Sequence, residues 1–498
     1  MSLTRRNLMQ SGGYAAMLLT AAGACSRPDQ AASNDLAELD GVETAARLKS
    51  GELGPTEAVE AAIARAERVD PQINAIVTKT FRRARKEAAA KGANAGLWAG
   101  VPTFVKDLDD VTGVTTRFGS RAFPFYKGKE QTPLIDAFLG MGVVSLGKSA
   151  TPEFGLSATT ESIATGQTRN PWNTEHSTGG SSGGAAALVA SGVVPIAHAS
   201  DGGGSIRIPA SCCGNVGLKV SRGRNPMARP EDAVGPISLA VHGVQTRTVR
   251  DTAAVAATLA LPSSESGLAP LPLVTAPGKE RLRIAVTTQG LAGRAPDPAV
   301  KQAAEDAAAL CADLGHHVEE ASLPVDDGLS EDFTLYWAAF AHATVAMWEK
   351  TFHLPRNGLA FEPFTIGLAD RFEREEADFP GAIERLQAVA ARMAAFHETY
   401  DLVLSPVVTA PPPEIGYLGA TLDYETLMQR LTDYVQYTVL YNVTGAPAIS
   451  LPLSMSPDGL PVGAMFGAPL GREDRLLALA YELEEAKPWA GRRPAVWG

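Results

Sequence analysis

The sequence predicts an α/β protein, a sandwich of helices around a largely buried sheet. Short apolar runs with strand character alternate with helical runs through most of the chain. That is the pattern of a sheet covered by helices. Strands also recur on both sides of a helix-rich stretch, 328–399, which favours one large domain carrying that stretch as an insertion. The composition agrees: 45% of the 498 residues are hydrophobic and 20% charged, ordinary values for a soluble globular protein.

The elements follow in order. Residues 37–50 and 55–69 read as amphipathic helices, with Ala58, Ala62, Ile63 and Ala66 on one side of the second. Asp70-Pro71 should break that helix. Residues 73–79 are strand-like, and 82–91 form a charged, alanine-rich helix. A strand over 101–106, a helix over 134–141 and a strand over 143–148 come next, then a helix over 185–191 and a strand over 193–198. Residues 222–245 show no clear periodicity. Residues 283–288, 298–314 and 317–321 make another β-α-β pattern. After the helical stretch, a strand over 400–405 leads into an irregular proline-rich loop, 406–413. Residues 448–455 and 462–466 read as a closing hairpin, and 472–485 as a final helix.

The first residues carry a separate message. Thr4-Arg5-Arg6-Asn7-Leu8-Met9 looks like a twin-arginine export signal, and a short apolar stretch follows from Gly12 to Ala24. It falls short of the roughly 20 residues of a membrane span and suits a signal-peptide core. Ala22-Gly23-Ala24-Cys25 resembles a bacterial lipobox, with Ala22 where leucine is usual. The readings are a leader over 1–24 with a lipid on Cys25, or cleavage near the same alanines without one. Residues 25–36 then form a tether. The mature protein is expected outside the cytoplasm, periplasmic or membrane-anchored.

Charge and cysteine use exclude other classes. The formal net charge is −11 with no long basic run, which argues against nucleic acid as a partner. Cys212, Cys213 and Cys311 cannot all pair within one chain and read as buried small residues, with Cys311 on a helix face. His316-His317 is the only close histidine pair and reads as solvated or part of a turn. No metal-ligand spacing is present, and no metal is expected.

The chemistry lies in three segments. Ser181 and Ser205, 24 positions apart, each sit among glycines, and the second follows Asp201-Gly202-Gly203-Gly204. Backbone N–H groups left uncovered by side chains can converge on a developing negative charge, so Gly202, Gly203 and Gly204 are candidate oxyanion donors. A serine beside such a hollow points to acyl transfer. Lys106 ends the apolar run Gly100-Val101-Pro102-Thr103-Phe104-Val105. If desolvated there, its amine would lose charge and become a base. Gly179-Gly180-Ser181-Ser182-Gly183 also fits G-x-S-x-G, so an α/β-hydrolase using Ser181 and a downstream histidine such as His397 is an alternative. A nucleotide-binding module is a third reading, though no phosphate-loop pattern is complete.

Taken together, Lys106, Gly179 to Gly184, and Asp201 to Pro209 resemble the amidase signature family, which uses a Ser-Ser-Lys triad. The likeness continues through Cys213 to Lys219 and Asn442 to Ser450. It implies a large mixed, twisted central sheet with helices on both faces, and an amide hydrolase acting on a small-molecule amide without metal or organic cofactor. Ser205 would be the nucleophile, Ser181 the proton relay and Lys106 the base, with a cis peptide bond at Ser181. Gly202 replaces a residue that is often larger in the family, which would loosen the oxyanion loop or admit a bulkier acyl group. The amidase domain would span 37–498. Residues 328–399 and 406–420 should shape the substrate pocket, through residues such as Trp337, Phe340, Phe361 and Phe364. Asn170 to Asn173, Gly471 to Asp474 and Trp489 to Pro494 look most like the branch containing 6-aminohexanoate-cyclic-dimer hydrolases.

Overall fold

The computed structural model describes residues 36–90, 96–226, 236–352 and 356–498. The leader expected at 1–24 and Cys25 lie outside these residues. The strands are β1 (Ile76–Lys79), β2 (Pro102–Lys106), β3 (Val144–Ser149), β4 (Glu161–Ser162), β5 (Gly166–Gln167), β6 (Ile196–Asp201), β7 (Val216–Lys219), β8 (Val241–Thr246), β9 (Arg283–Val286), β10 (His317–Glu320), β11 (Leu402–Pro406), β12 (Ala448–Met455) and β13 (Pro461–Gly467).

Eight of them form one mixed sheet in the order β10-β9-β11-β13-β12-β7-β8-β6. The β10, β9 and β11 strands run parallel, and the remaining pairs are antiparallel. The helix Pro298–Asp313 makes the β9–β10 crossover, and β12 and β13 form the closing hairpin. Three helices, Leu329–Phe352, Pro363–Glu375 and Phe379–Phe396, stand between β10 and β11.

Both faces of the sheet are buried, and the side chains show why. On β11, Leu402 and Leu404 enter one apolar cluster while Val403 enters the other. On the hairpin, Ile449 and Phe466 join the first cluster, Ala448 and Met465 the second. This is the two-residue period of a strand with an apolar layer on each side. One layer lies under the three-helix stretch, with Leu386 and Leu368. The other lies under Val249–Leu259 and Glu473–Ala486, through Val249, Leu476 and Leu483.

The β1, β3 and β2 strands form a separate three-stranded sheet. It abuts the large sheet at β6 through side chains: Thr103 Oγ1 donates to the Ile196 carbonyl at 3.0 Å, and the Lys106 N–H to His198 Nδ1 at 3.3 Å. This junction places the end of β2 beside the end of β6.

Three expectations change. The second helix runs from Pro55 to Ile73 with Pro71 inside it. The proline removes one N–H bond close to the helix end, where Asp70 takes over. Its Oδ1 accepts from the N–H groups of Ala75 and Ile76, both at 2.9 Å. The stretch without periodicity contains β8, whose six residues are all buried and therefore show no polar alternation. His316 is buried rather than solvated: its ring accepts from the Leu282 N–H at 3.0 Å and meets Glu482 at 3.1 Å.

Candidate active site

Lys106 ends β2 with its side chain fully buried. Its Nζ lies 2.7 Å from Ser181 Oγ, 3.0 Å from Ser200 Oγ and 3.4 Å from the Ser200 carbonyl. Burial pushes its pKa down to about 7, against the pull of the Asp109 and Asp201 charges. A neutral amine has two N–H donors and one lone pair. The two Ser200 oxygens take the donors, which leaves the lone pair for the Ser181 hydroxyl. Ser200 was not among the sequence candidates. Its signal is positional, one residue before the end of β6, where β2 also ends.

Ser181 precedes the helix Gly183–Ala190, and the Gly180–Ser181 peptide bond is cis. Gly180 is required by close approach: a Cβ there would stand 2.3 Å from the Thr159 carbonyl oxygen. The Ser182 N–H donates to the Ser205 carbonyl at 3.3 Å, which ties the two serine segments together. Ser205 lines an open cleft, and so does Gly155, where a Cβ would stand 3.2 Å from Ser181 Oγ. Of the three sequence-predicted residues, Ser205 lines the cleft, while Lys106 and Ser181 are buried and paired with each other.

The glycine loop is held from behind. Asp201 receives Nε and Nη2 of Arg207, each at 2.9 Å, and Nδ2 of Asn442 at 2.9 Å. Burial alone would raise the Asp201 pKa, but Arg207 and Asn442 outweigh it and hold the carboxyl well below its usual range. Asn442 Oδ1 accepts from Arg207 at 2.7 Å, so the three side chains close a ring. The Gly204 N–H donates to Asp201 Oδ1 at 2.7 Å. This corrects the expected oxyanion set, because that amide is already used. The Gly202, Gly203 and Ser205 amides have no acceptor among the described residues.

Gly202 does not open the loop. A Cβ on it would meet Trp337 at 3.0 Å, and one on Gly203 would meet Phe333 at 2.8 Å. The two aromatic rings stack at 5.5 Å and occupy the space the glycines vacate. Trp337 and Phe364 line the cleft as expected. Phe361 does not: it is core, packed on Phe154 and Trp348. Phe340 likewise packs against that core and stays out of the cleft. The loop 406–420 lines an adjoining hollow, where Leu418 and Ala420 join Leu156, Ser157 and Phe364, and the helix Tyr424–Tyr434 supplies Met428, Leu431 and Thr432 to the cleft itself.

Behind Lys106 lies a buried group, Asp109, His198 and His242, whose ligand atoms fall within 4.8 Å of one another. The Lys106 N–H marks His198 Nδ1 as an acceptor, so Nε2 carries the proton and donates to His242 Nδ1 at 3.2 Å. Burial pushes the His198 pKa down to about 3 and lowers that of His242 as well. The pair reads as a neutral hydrogen-bonded chain that positions the β2 end, not as a metal centre.

His397 has no part in the site. Its Nδ1 lies 3.0 Å from the Tyr400 carbonyl, at the end of the helix Phe379–Phe396. Cys212, Cys213 and Cys311 are buried free thiols. Burial pushes Cys212 and Cys311 up to about 12 and Cys213 well up, so none is a nucleophile.

A buried lysine–serine pair beside an amide loop with unused N–H groups is an arrangement suited to acyl transfer. The Amidase family model matches residues 57–477. The putative amidase AmiC of Mycobacterium tuberculosis (strain ATCC 25618 / H37Rv) is 46% identical over 456 residues, covering 91% of this chain and 96% of that protein. The 6-aminohexanoate-cyclic-dimer hydrolase of Paenarthrobacter ureafaciens is 36% identical over 494 residues, covering 91% and 96%. The solved structure of 6-aminohexanoate cyclic dimer hydrolase complexed with substrate superposes with a TM-score of 0.84 at 34% identity, covering 93% of this chain and all of that one. A bacterial aryl acylamidase superposes at 0.79 with 27% identity, covering 91% of this chain and 99% of that one. The chain belongs to the amidase signature family. It is an amide hydrolase acting on carbon–nitrogen bonds other than ordinary peptide bonds.

Proposed function

We propose that amide hydrolysis proceeds through an acyl-enzyme on Ser205, with Ser181 as relay and Lys106 as base. Ser205 Oγ attacks the carbonyl carbon. Its proton passes to Ser181 Oγ, which gives its own to Lys106 Nζ. The oxyanion is met by the free amides of Gly202, Gly203 and Ser205, a contribution of about 3–4 kcal/mol per donor in comparable sites. When the carbon–nitrogen bond breaks, the proton returns through Ser181 to the leaving nitrogen. Water then attacks the ester along the same relay, which restores Ser205. The observation that carries this reading is the 2.7 Å contact between Lys106 Nζ and Ser181 Oγ in a fully buried pocket.

The test is a substitution series assayed on a panel of linear, aryl and cyclic amides. Ser205→Ala should abolish turnover, and Ser181→Ala should slow it strongly. Lys106→Arg should fail to restore it, because a guanidinium stays protonated. Near-normal turnover of the arginine variant would contradict the assignment.

Two similar proteins direct the panel, the 6-aminohexanoate-cyclic-dimer hydrolase and the bacterial aryl acylamidase. A cyclic dimer of an amino acid has no free termini, hence no charge. We further propose that the protein is exported, on the strength of Arg5-Arg6 and the apolar run behind them. Fractionation should find the mature chain outside the cytoplasm. Membrane retention lost on Cys25→Ser would indicate the lipid, and a full-length cytoplasmic protein would refute export.

A further inference from the structure

The cleft over Ser205 has a composition that selects its substrate. Two helices form its walls. From Leu329–Phe352 come Ser330, Phe333, Thr334 and Trp337, and from Tyr424–Tyr434 and the residue after it come Met428, Leu431, Thr432 and Val435. Both sets have the spacing i, i+3, i+4, i+7, one stripe of a helix each. The rest of the lining is apolar or hydroxylic, and among the described residues no Asp, Glu, Lys, Arg or His belongs to it.

The charged residues beside these stripes are turned elsewhere and paired. Glu331 binds Arg371 at 2.7 Å, and Asp332 receives both Nε and Nη2 of Arg385. The carboxylate nearest the glycine loop, Asp201, is saturated by Arg207 and Asn442. Even the hydroxyls are partly committed: Thr334 Oγ1 donates to the Ser330 carbonyl at 2.8 Å. A charge entering this cleft would give up water and find no counter-ion among the described residues.

We propose that the substrate is a neutral amide with an uncharged alkyl or aryl body, held between Phe333 and Trp337 on one side and Met428 and Leu431 on the other. The enzyme discriminates against an ammonium or carboxylate on the part of the substrate lying in the cleft. This rests on the Ser205 reading above.

The test compares matched anilides: hexanoyl, 6-aminohexanoyl and 5-carboxypentanoyl. A second pair carries the charge on the other side of the bond, N-hexylbenzamide against N-(6-aminohexyl)benzamide. On at least one side of the scissile bond, kcat/KM for the neutral member should exceed that of its charged partner by about 100-fold or more. In the same samples the neutral amides should protect Ser205 from an alkyl fluorophosphonate better than the charged ones. Ser330→Asp supplies the missing counter-ion, in a helical first turn where an acid is tolerated. It should narrow the gap for the ammonium substrates and widen it for the carboxylate. A fold merely damaged would lower all of them alike. Equal hydrolysis and equal protection on both sides of the bond would overturn the proposal while leaving the nucleophile assignment intact. Failure of fluorophosphonate to modify Ser205 would instead overturn the mechanism on which it rests.

Discussion

Lys106 shows how far a residue's behaviour depends on partners remote in sequence. The run from Gly100 to Val105 identifies a strand end, and a lysine there is ordinarily at the surface. What buries it is β6, with His198 lying 92 positions downstream of Lys106. The pKa of about 7 sets two expectations. Turnover should rise with pH through about 7 as the amine loses its proton, read as the acidic limb of kcat/KM. The same shift costs stability. Between pH 10.5 and 7 the unfolded lysine binds a proton that the folded one does not, so stability falls as pH drops through that window, and the penalty is complete below about 7. Lys106→Met should therefore be inactive yet at least as stable as the parent at pH 6, with the difference shrinking toward pH 10. Denaturant midpoints across pH check this, and a variant much less stable at pH 6 would contradict the burial of an unfavourable amine.

Arg207 and Asn442 are legible only as part of family-like motifs. Their physical role is the ring around Asp201, which no spacing reveals. Arg207→Lys keeps the charge but not the fork, leaving Asp201 Oδ1 and Asn442 Oδ1 short of donors. A loss of about 1–3 kcal/mol is expected from leaving buried acceptors without their donors. Asn442→Ala should instead be milder for folding and lower kcat more than it raises KM, because the amide loop is no longer held for the oxyanion.

At the scale of elements, long periodic segments and glycine-bounded turns were readable. The helix face of Ala58, Ala62, Ile63 and Ala66 is buried as its spacing implies, and the closing hairpin is present. Boundaries were not, as Pro71 shows, and β8 was missed because a strand buried on both faces has no alternation to detect. The cleft stripes were present in the sequence at 330–337 and 428–435. Their meaning depends on two helices packing toward one another, which periodicity cannot state. The glycine loop carries its own prediction. Gly204 has φ +137°, and a Cβ there would lie 2.4 Å from Thr438 Oγ1. Gly204→Ala should abolish activity and lower the melting temperature, while Gly459→Ala, at φ +77° with open space around it, should cost stability without touching turnover.

The whole molecule follows from a sheet buried on both faces along most of its width, and the class was legible in the alternation of short strand-like runs with helices. The separation into an eight-stranded and a three-stranded sheet was not legible, since β2 and β6 meet through side chains instead of a backbone ladder. That seam matters, because it brings Lys106 to the serines. The segments that look like one branch of the family turn out to be ties between distant parts. Trp172 Nε1 donates to the Cys213 carbonyl at 2.8 Å, Glu473 receives Arg224 at 2.9 Å, and Trp489 Nε1 donates to the Arg247 carbonyl at 2.9 Å. Trp489→Ala should accordingly cost about 3–5 kcal/mol in a denaturant titration and leave substrate preference unchanged.

The central claim, that Ser205 carries the acyl group and Ser181 relays its proton, is met most directly by mass mapping after treatment with an alkyl fluorophosphonate. The tryptic peptide between Arg169 and Arg207 contains both serines, so fragmentation locates the adduct. The adduct should lie on Ser205, disappear in Ser205→Ala, form slowly but at the same residue in Ser181→Ala, and be unaffected by His397→Ala. An adduct on Ser181 alone would contradict the account.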